Sequence, residues 1–362
     1  MTYTLVNAYC KENIGDDLFI KILLDRYPST NFIILGKKEK LSFLKENSNV
    51  KIENIYQLGP LEKVVLKFGI KNYNDIKRKK WNHFLERYKN KIDNYIILGG
   101  SMFIEEKNHN FETTELIFQN LNLAKKIVVG SNFGPYHTAK FYDFYKHNFA
   151  TFDAVIFRDS YSKKLFDDVS SVRNLTDFVF NYNISKSFDE KIPNSIGISV
   201  INLSHREKIK KHEQDYLTFL RKIILDAKEE NKECFLFSFC AAEGDDVIVK
   251  QLSQEFPFAK PVYYDGNIDS FLSVYSSMQT VVATRFHGLV LSLLFNQKVL
   301  GVIYSEKTLN LINDMDKNIK YIELDNLNRY HSNQLKELEV LDISKTISSA
   351  TQYFETLDNF LK

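Results

Sequence analysis

The stretch TVVATRFHGLVLSLLFNQKVLGVIYSE, residues 280–306, decides the fold class. Residues 280–284 have the β-branched character of a buried parallel strand, residues 288–295 the apolar density of a buried helix, and residues 298–304 form another short apolar strand. That succession is a βαβ unit. At its first seam stand Arg285, His287 and Gly288. In open α/β sheets ligands bind at the carboxyl ends of strands, where the following helix points free amides and its positive dipole end outward. Two basic groups inside an otherwise apolar run therefore point to a bound anion. Arginine offers a planar fork for carboxylate or phosphate, and histidine can both bind and transfer a proton near neutral pH.

Outward from that unit the chain alternates strands and helices in two blocks. In the first, residues 3–8, 32–35, 95–98, 126–129 and 154–157 read as strands, with helices at 17–26, 113–123 and 161–166. The polar segment 181–195, which carries Pro193, reads as a linker. The second block has strands at 196–200, 234–239 and 261–264 and helices at 214–229 and 245–256 before the opening unit. The expectation is an α/β protein of two Rossmann-like doubly wound domains facing a cleft. Their expected bounds are 1–180 and 196–343, with a final helix, 344–362, crossing back onto the first domain.

Composition limits the function. A chain of 362 residues is too long for one compact core, and a net charge of +2 gives no electrostatic footprint for nucleic acid. Cys10, Cys234 and Cys240 lack C-x-x-C spacing and read as packing residues in a reducing compartment. The first ten residues lack a signal-peptide pattern, and no apolar window approaches the roughly 18 residues of a membrane span, so the expected location is cytoplasmic. Isolated histidines such as His83, His137 and His205 have no ligand spacing, so no metal site is expected. With neither G-x-G-x-x-G nor a P-loop, a dinucleotide or ATP site is disfavoured.

Other candidate residues lie at strand ends of the first block. Arg158 ends the strand 154–157, with Asp159 and Ser160 as helix-capping residues behind it. Asp16 and Asp17 open the helix after the first strand; the helix dipole explains one of them, and Asp16 is the candidate base or acceptor contact. Gly15, Gly99, Gly100, Ser101 and Gly134 are expected in loops of the cleft walls, with Glu243 at a strand end of the second block. The stretch 63–81, KVVLKFGIKNYNDIKRKKW, interleaves basic and apolar residues. It reads either as a solvated helical face or as an interfacial contact in which Trp81, Phe68 and Val64 enter a membrane.

Several of these residues together resemble a known family. R-F-H-G followed by an apolar helix and V-x-G-x-x-Y resembles the C-terminal signature of the polysaccharide pyruvyl transferases. Asn13-Ile14-Gly15-Asp16 is similar to the family's N-x-G-D, Gly99-Gly100-Ser101 to its glycine turn, Gly130 to Pro135 to its G-x-x-x-G-P, and Arg158-Asp159-Ser160 to its R-[DE]-S. Residues 177–180, DFVF, depart from the family's D-P-x-F by lacking the proline that would set φ. Two Rossmann-like domains facing a cleft resemble the GT-B architecture, and the family resemblance implies transfer of pyruvyl from phosphoenolpyruvate, a co-substrate with no separate cofactor, held by the second domain, to a free or lipid-linked saccharide acceptor on the side of the first. On that reading Arg285 and Arg158 hold the donor's anionic groups, His287 contacts phosphate and moves a proton, and Gly288 lies beside the donor. A GT-B glycosyltransferase using a nucleotide sugar, or a non-catalytic saccharide- or anion-binding protein, would share the fold.

Overall fold

A computed structural model describes residues 2–55, 57–68, 72–107, 109–121, 124–184, 190–204, 206–315 and 318–361. The chain divides into two compact units, Met1–Cys10 with Leu23–Leu175 and Gln352–Lys362, and Lys11–Ile22 with Thr176–Thr351.

The first unit is built on β1 (Tyr3–Ala8), β2 (Phe32–Leu35), β3 (Val50–Glu53), β4 (Ile92–Leu98), β5 (Lys125–Ser131), β6 (Ala154–Phe157) and β7 (Val172–Asn174). They form one sheet in the order β3-β2-β1-β4-β5-β6-β7, every pair parallel. Interior strands β2 and β6 are buried along their whole length, as expected where helices cover both sheet faces. Many of the aromatic residues become core: Phe103, Phe133, Phe141, Tyr145, Phe149 and Phe166 pack in edge-to-face and tilted contacts.

The second unit repeats the plan with β8 (Ser195–Ser199), β9 (Glu233–Ser238), β10 (Lys260–Tyr263), β11 (Thr280–Ala283), β12 (Lys298–Ile303) and β13 (Tyr321–Glu323). Its parallel order is β10-β9-β8-β11-β12-β13. In both sheets the chain winds outward from the centre one way and then the other. The direction reverses between β1 and β4 in the first unit and between β8 and β11 in the second, the positions where doubly wound sheets bind ligands. The helix Phe286–Leu294 that follows β11 is buried at every position.

Several expectations change. The strands β3, β7 and β13 were not anticipated, because three or four half-exposed residues at a sheet margin carry no apolar run. Residues 11–22, expected with the first domain, belong to the second unit: Ile14 N donates to Phe239 O at 3.3 Å, and Tyr264 OH donates to Asp17 at 2.7 Å. The second unit resumes at Thr176, ahead of the expected linker, of which residues 185–189 lie outside the described residues, as does His205. In the last helix, Ser344–Leu361, Asp358 accepts from Arg26 at 3.0 Å and from Tyr27 OH at 2.8 Å within the first unit.

Within 63–81, the membrane contact expected of Trp81 does not hold. Trp81 is 1% exposed, packed in the first unit's core against Phe84, so it cannot enter a membrane. Arg78 pairs with Glu112 at 3.2 Å, and Lys80 pairs with Glu62 at 3.0 Å. Among the described residues no helix is long and apolar enough to cross a membrane.

Candidate functional site

In the second unit, Ser199 at the end of β8 accepts from the main-chain N–H of Thr284 at 3.2 Å and of Arg285 at 3.3 Å, which aligns the turn leaving β11. Arg285 is the N-cap of helix Phe286–Leu294 and is extended, with φ −71° and ψ 136°; no side chain caps the helix. Helix N-termini of this kind suit an anion, because their amides and dipole point toward it. His287 lies in this turn with its ring against the backbone of Gly15. A Cβ added to Gly15 would fall 1.7 Å from His287 Nδ1, so only glycine admits the ring. Phe19 meets the imidazole edge-on at 5.9 Å. The other nitrogen, Nε2, is buried without a hydrogen-bond partner among the described residues and stands 3.8 Å from Asp177 Oδ2. Asp177 Oδ1 accepts from Val179 N at 2.9 Å and caps the short 3₁₀ helix Phe178–Asn181, so this turn forms without the proline. Gly288 packs instead into the sheet: its added Cβ would lie 2.7 Å from Ser199 Oγ, and its carbonyl accepts from Tyr275 OH at 2.8 Å.

Arg285 is engaged differently from the sequence reading, in which a ligand answered its charge. Its Nε donates to Asp245 at 2.8 Å, its Nη2 pairs with the same carboxylate, and its Nη1 donates to Glu243 at 2.6 Å. Glu243 also accepts from Arg206 at 2.6 Å. Burial opposes the guanidinium charge, but Asp245 and Glu243 outweigh it and raise the Arg285 pKa well above its usual value. Desolvation would raise the Glu243 carboxyl, yet Arg285 and Arg206 hold it below the ordinary value. Asp245 also accepts from Cys240 N at 3.1 Å, so the loop after β9 is tied to the turn after β11. Glu243, expected in a cleft loop, is thus a partner of Arg285, and Asp245 is a site residue that the sequence reading missed. Burial pushes the Cys240 thiol up to about 12, which suits a packing role.

Asp16 and Asp17 separate in the helix Ile14–Arg26: Asp16 is half-buried, whereas Asp17 is fully buried. Asp17 Oδ2 accepts from Tyr264 OH at 2.7 Å, and Oδ1 has no partner among the described residues. Burial raises the Asp17 carboxyl well above its ordinary value; the Tyr264 hydrogen bond opposes this, and Asp16 and Glu12 add to it. A signal existed in the sequence, since position 17 shares the inward helical face of Ile14 and Leu18. The folded state then keeps a proton that the unfolded chain releases. This group's contribution is complete below the unfolded value of about 3.9 and is lost as pH rises toward the folded pKa. Denaturant melts at pH rising above about 4 should therefore shift in favour of Asp17→Asn over wild type until the folded pKa is passed. A pH-independent difference would mean that Asp17 is ionised in the fold.

The first unit gathers three loops at its own strand ends. Arg158 follows β6, is buried, and donates from Nη2 to Asn132 Oδ1 at 2.7 Å. Its guanidinium lies over Gly100, where an added Cβ would fall 2.3 Å from Nη1. Asn132 N donates to Gly100 O at 2.7 Å, Asn132 Nδ2 to Gly134 O at 3.2 Å, and Ser101 Oγ to Asn132 Oδ1 at 3.4 Å. Asp159 caps the next helix, accepting from Ser162 N at 2.7 Å. Gly99 and Gly134, at φ 135° and 103°, occupy backbone conformations that side-chain-bearing residues rarely adopt. Asn132, which joins these loops, lay in an unassigned position of the glycine motif.

Solved structures share this fold. UDP-GlcNAc 2-epimerase from Methanocaldococcus jannaschii aligns over 99% of this chain and 100% of its own at 9% identity and a TM-score of 0.59. HepE of Anabaena, solved in complex with UDP and glucose, aligns over 99% and 100% at 11% identity and a TM-score of 0.55. A putative UDP-N-acetylglucosamine 2-epimerase from Listeria monocytogenes covers 97% of this chain and 91% of its own, at 10% identity and a TM-score of 0.57. At such identities the likeness shows the fold alone, which is GT-B-like. No curated protein matches the chain in sequence. The sequence pattern of one family spans residues 13–306, from the Asn13 that precedes the Gly15 seat through Arg158 to the His287 turn and β12, and the chain belongs to that family, polysaccharide pyruvyl transferase.

Proposed function

We propose that this protein transfers pyruvyl from phosphoenolpyruvate to two hydroxyls of a saccharide, forming a ketal, in capsule, cell-wall or exopolysaccharide assembly. The supporting observation is the start of helix Phe286–Leu294. Its N-cap residue Arg285 makes no side-chain capping bond, it follows a strand at the point where the sheet order reverses, and it carries a buried imidazole whose Nε2 lacks a hydrogen-bond partner among the described residues. Main-chain N–H groups and an imidazole N–H suit a phosphate or carboxylate, and the donor carries both. Arg285 uses three of its five N–H groups on Asp245 and Glu243, so its part in donor binding falls to the other two. Arg158 is proposed as a second donor contact, and Asp16 as the base for the acceptor.

The chemistry fixes what these groups do. His287 delivers a proton to the donor's methylene carbon, which leaves an oxocarbenium-like centre at the adjacent carbon. A saccharide hydroxyl adds there and loses its proton to a base. Phosphate then departs with the electrons of its C–O bond, assisted by the helix amides and taking up the proton held by the base, and a second hydroxyl closes the ketal and returns its proton to His287. We place the enzyme in the cytoplasm against the membrane, where a lipid-linked acceptor is presented.

Thermal stabilisation and product analysis test this reading. Phosphoenolpyruvate should raise the melting temperature, and incubation with it and a panel of free and lipid-linked saccharides should release phosphate and add a pyruvyl ketal seen by mass spectrometry. Stabilisation by nucleotide sugars instead, with no ketal on any acceptor, would overturn the proposal in favour of glycosyl transfer.

A further inference from the structure

The helix Pro60–Lys67 presents an apolar stripe outward. Leu61 is 81% exposed, Val64 49% and the adjoining Phe68 72%, and their spacing places all three along one stripe. No residue of this helix is buried. Its other side, with half-buried Val65 and Leu66, is anchored by Glu62, which accepts from Gly59 N at 2.6 Å and pairs with Lys80 at 3.0 Å. A helix on the surface of a soluble protein ordinarily faces the reverse way, with its apolar stripe on the core. An outward stripe needs a partner that rewards apolar contact.

Charge identifies that partner. Lys63 and Lys67 lie along one side of the stripe, both are exposed, and neither has an ion-pair partner among the described residues. Residues 60–81 hold seven basic and two acidic side chains, although the whole chain carries a net charge of only +2. We propose that Pro60–Lys67 and Phe68 form a docking element for an anionic lipid surface. Leu61, Val64 and Phe68 enter the boundary of the acyl chains while Lys63 and Lys67 meet phosphate head groups. A second copy of the chain fits less well. Three apolar side chains on two turns fall far short of the roughly 800 Å² per partner that a stable interface buries, and the same lysines would oppose each other across a symmetric contact. The element deepens the reading of a membrane-presented acceptor, yet vesicle binding needs no turnover. A protein that binds vesicles but makes no ketal would overturn the reaction and leave the docking element standing.

The test uses the full chain with vesicles of phosphatidylglycerol mixed with phosphatidylcholine, and with vesicles of phosphatidylcholine alone. Wild type should sediment with the anionic vesicles, weakly with the neutral ones, and less as salt screens the lysines beyond about 8 Å. The triple variant Leu61→Ser, Val64→Ser, Phe68→Ser should partition about tenfold or more weakly, and Lys63→Gln with Lys67→Gln should lose the preference for anionic lipid. These side chains support no core, and circular dichroism is expected to show all variants folded. Activity on a short soluble acceptor should persist. Equal partitioning of wild type and the triple serine variant would overturn the proposal, as would wild type that binds neither vesicle. Self-association abolished by the serines would also overturn it, in favour of a second copy.

Discussion

His287→Gln should fold as wild type does and turn over at least about a hundredfold more slowly, the deficit expected when a proton-transferring group is removed. Glutamine keeps a hydrogen-bonding side chain of similar reach but cannot cycle a proton, so the loss should appear in kcat more than in KM. The ring's position carries as much weight as its chemistry. Gly15→Ala places a methyl group 1.7 Å from the present position of Nδ1 and must displace the imidazole, although His287 itself is unchanged. A misplacement of about 1 Å is enough to lower turnover by about two orders of magnitude. Steady-state kinetics of the two variants check both statements. Wild-type turnover in His287→Gln would leave the imidazole a structural role and remove it as proton donor.

Arg285→Ala should lower the unfolding free energy by about 3–5 kcal/mol, because it strands Asp245 as a buried, uncompensated charge. Removing both partners separates structure from function. Arg285→Leu with Asp245→Leu takes out the ion pair, leaves Glu243 paired with Arg206, and should recover part of the lost stability, short of wild type because Cys240 N and Phe239 N lose their acceptor. If Arg285 also binds the donor, that stable double variant will be inactive. If the double variant is both stable and active, the guanidinium only ties the β9 loop to the β11 turn. Arg285→Lys gives an intermediate case: the charge survives without the fork, and kcat/KM should fall about tenfold, equivalent to about 1.4 kcal/mol. Denaturant titrations and initial rates on the same samples decide among these outcomes.

The sequence alone established what depends on near neighbours in the chain. Alternating apolar strands and helices marked both units as doubly wound, and the RFHG turn could be placed at a strand end because apolar runs on either side bounded it. Short margin strands such as β13 escaped notice because half-exposed residues need no apolar pattern.

Tertiary structure decided which of these residues meet. His287 rests on Gly15, 272 positions earlier, and Arg285 finds its counter-charges in a loop about 40 positions away. No spacing rule spans such gaps, because these contacts follow from which strands become neighbours in the sheet. The sequence showed that a buried arginine needed an anion; only the packed structure showed that Asp245 and Glu243 supply two of them. The same holds for the tandem acids and the basic stretch. Composition names Asp16 with Asp17, and Trp81 with Phe68, as like pairs, but burial puts Asp17 and Trp81 inside and leaves Phe68 in solvent. Whether a side chain is desolvated depends on every element packed around it, and that surrounding is a property of the fold.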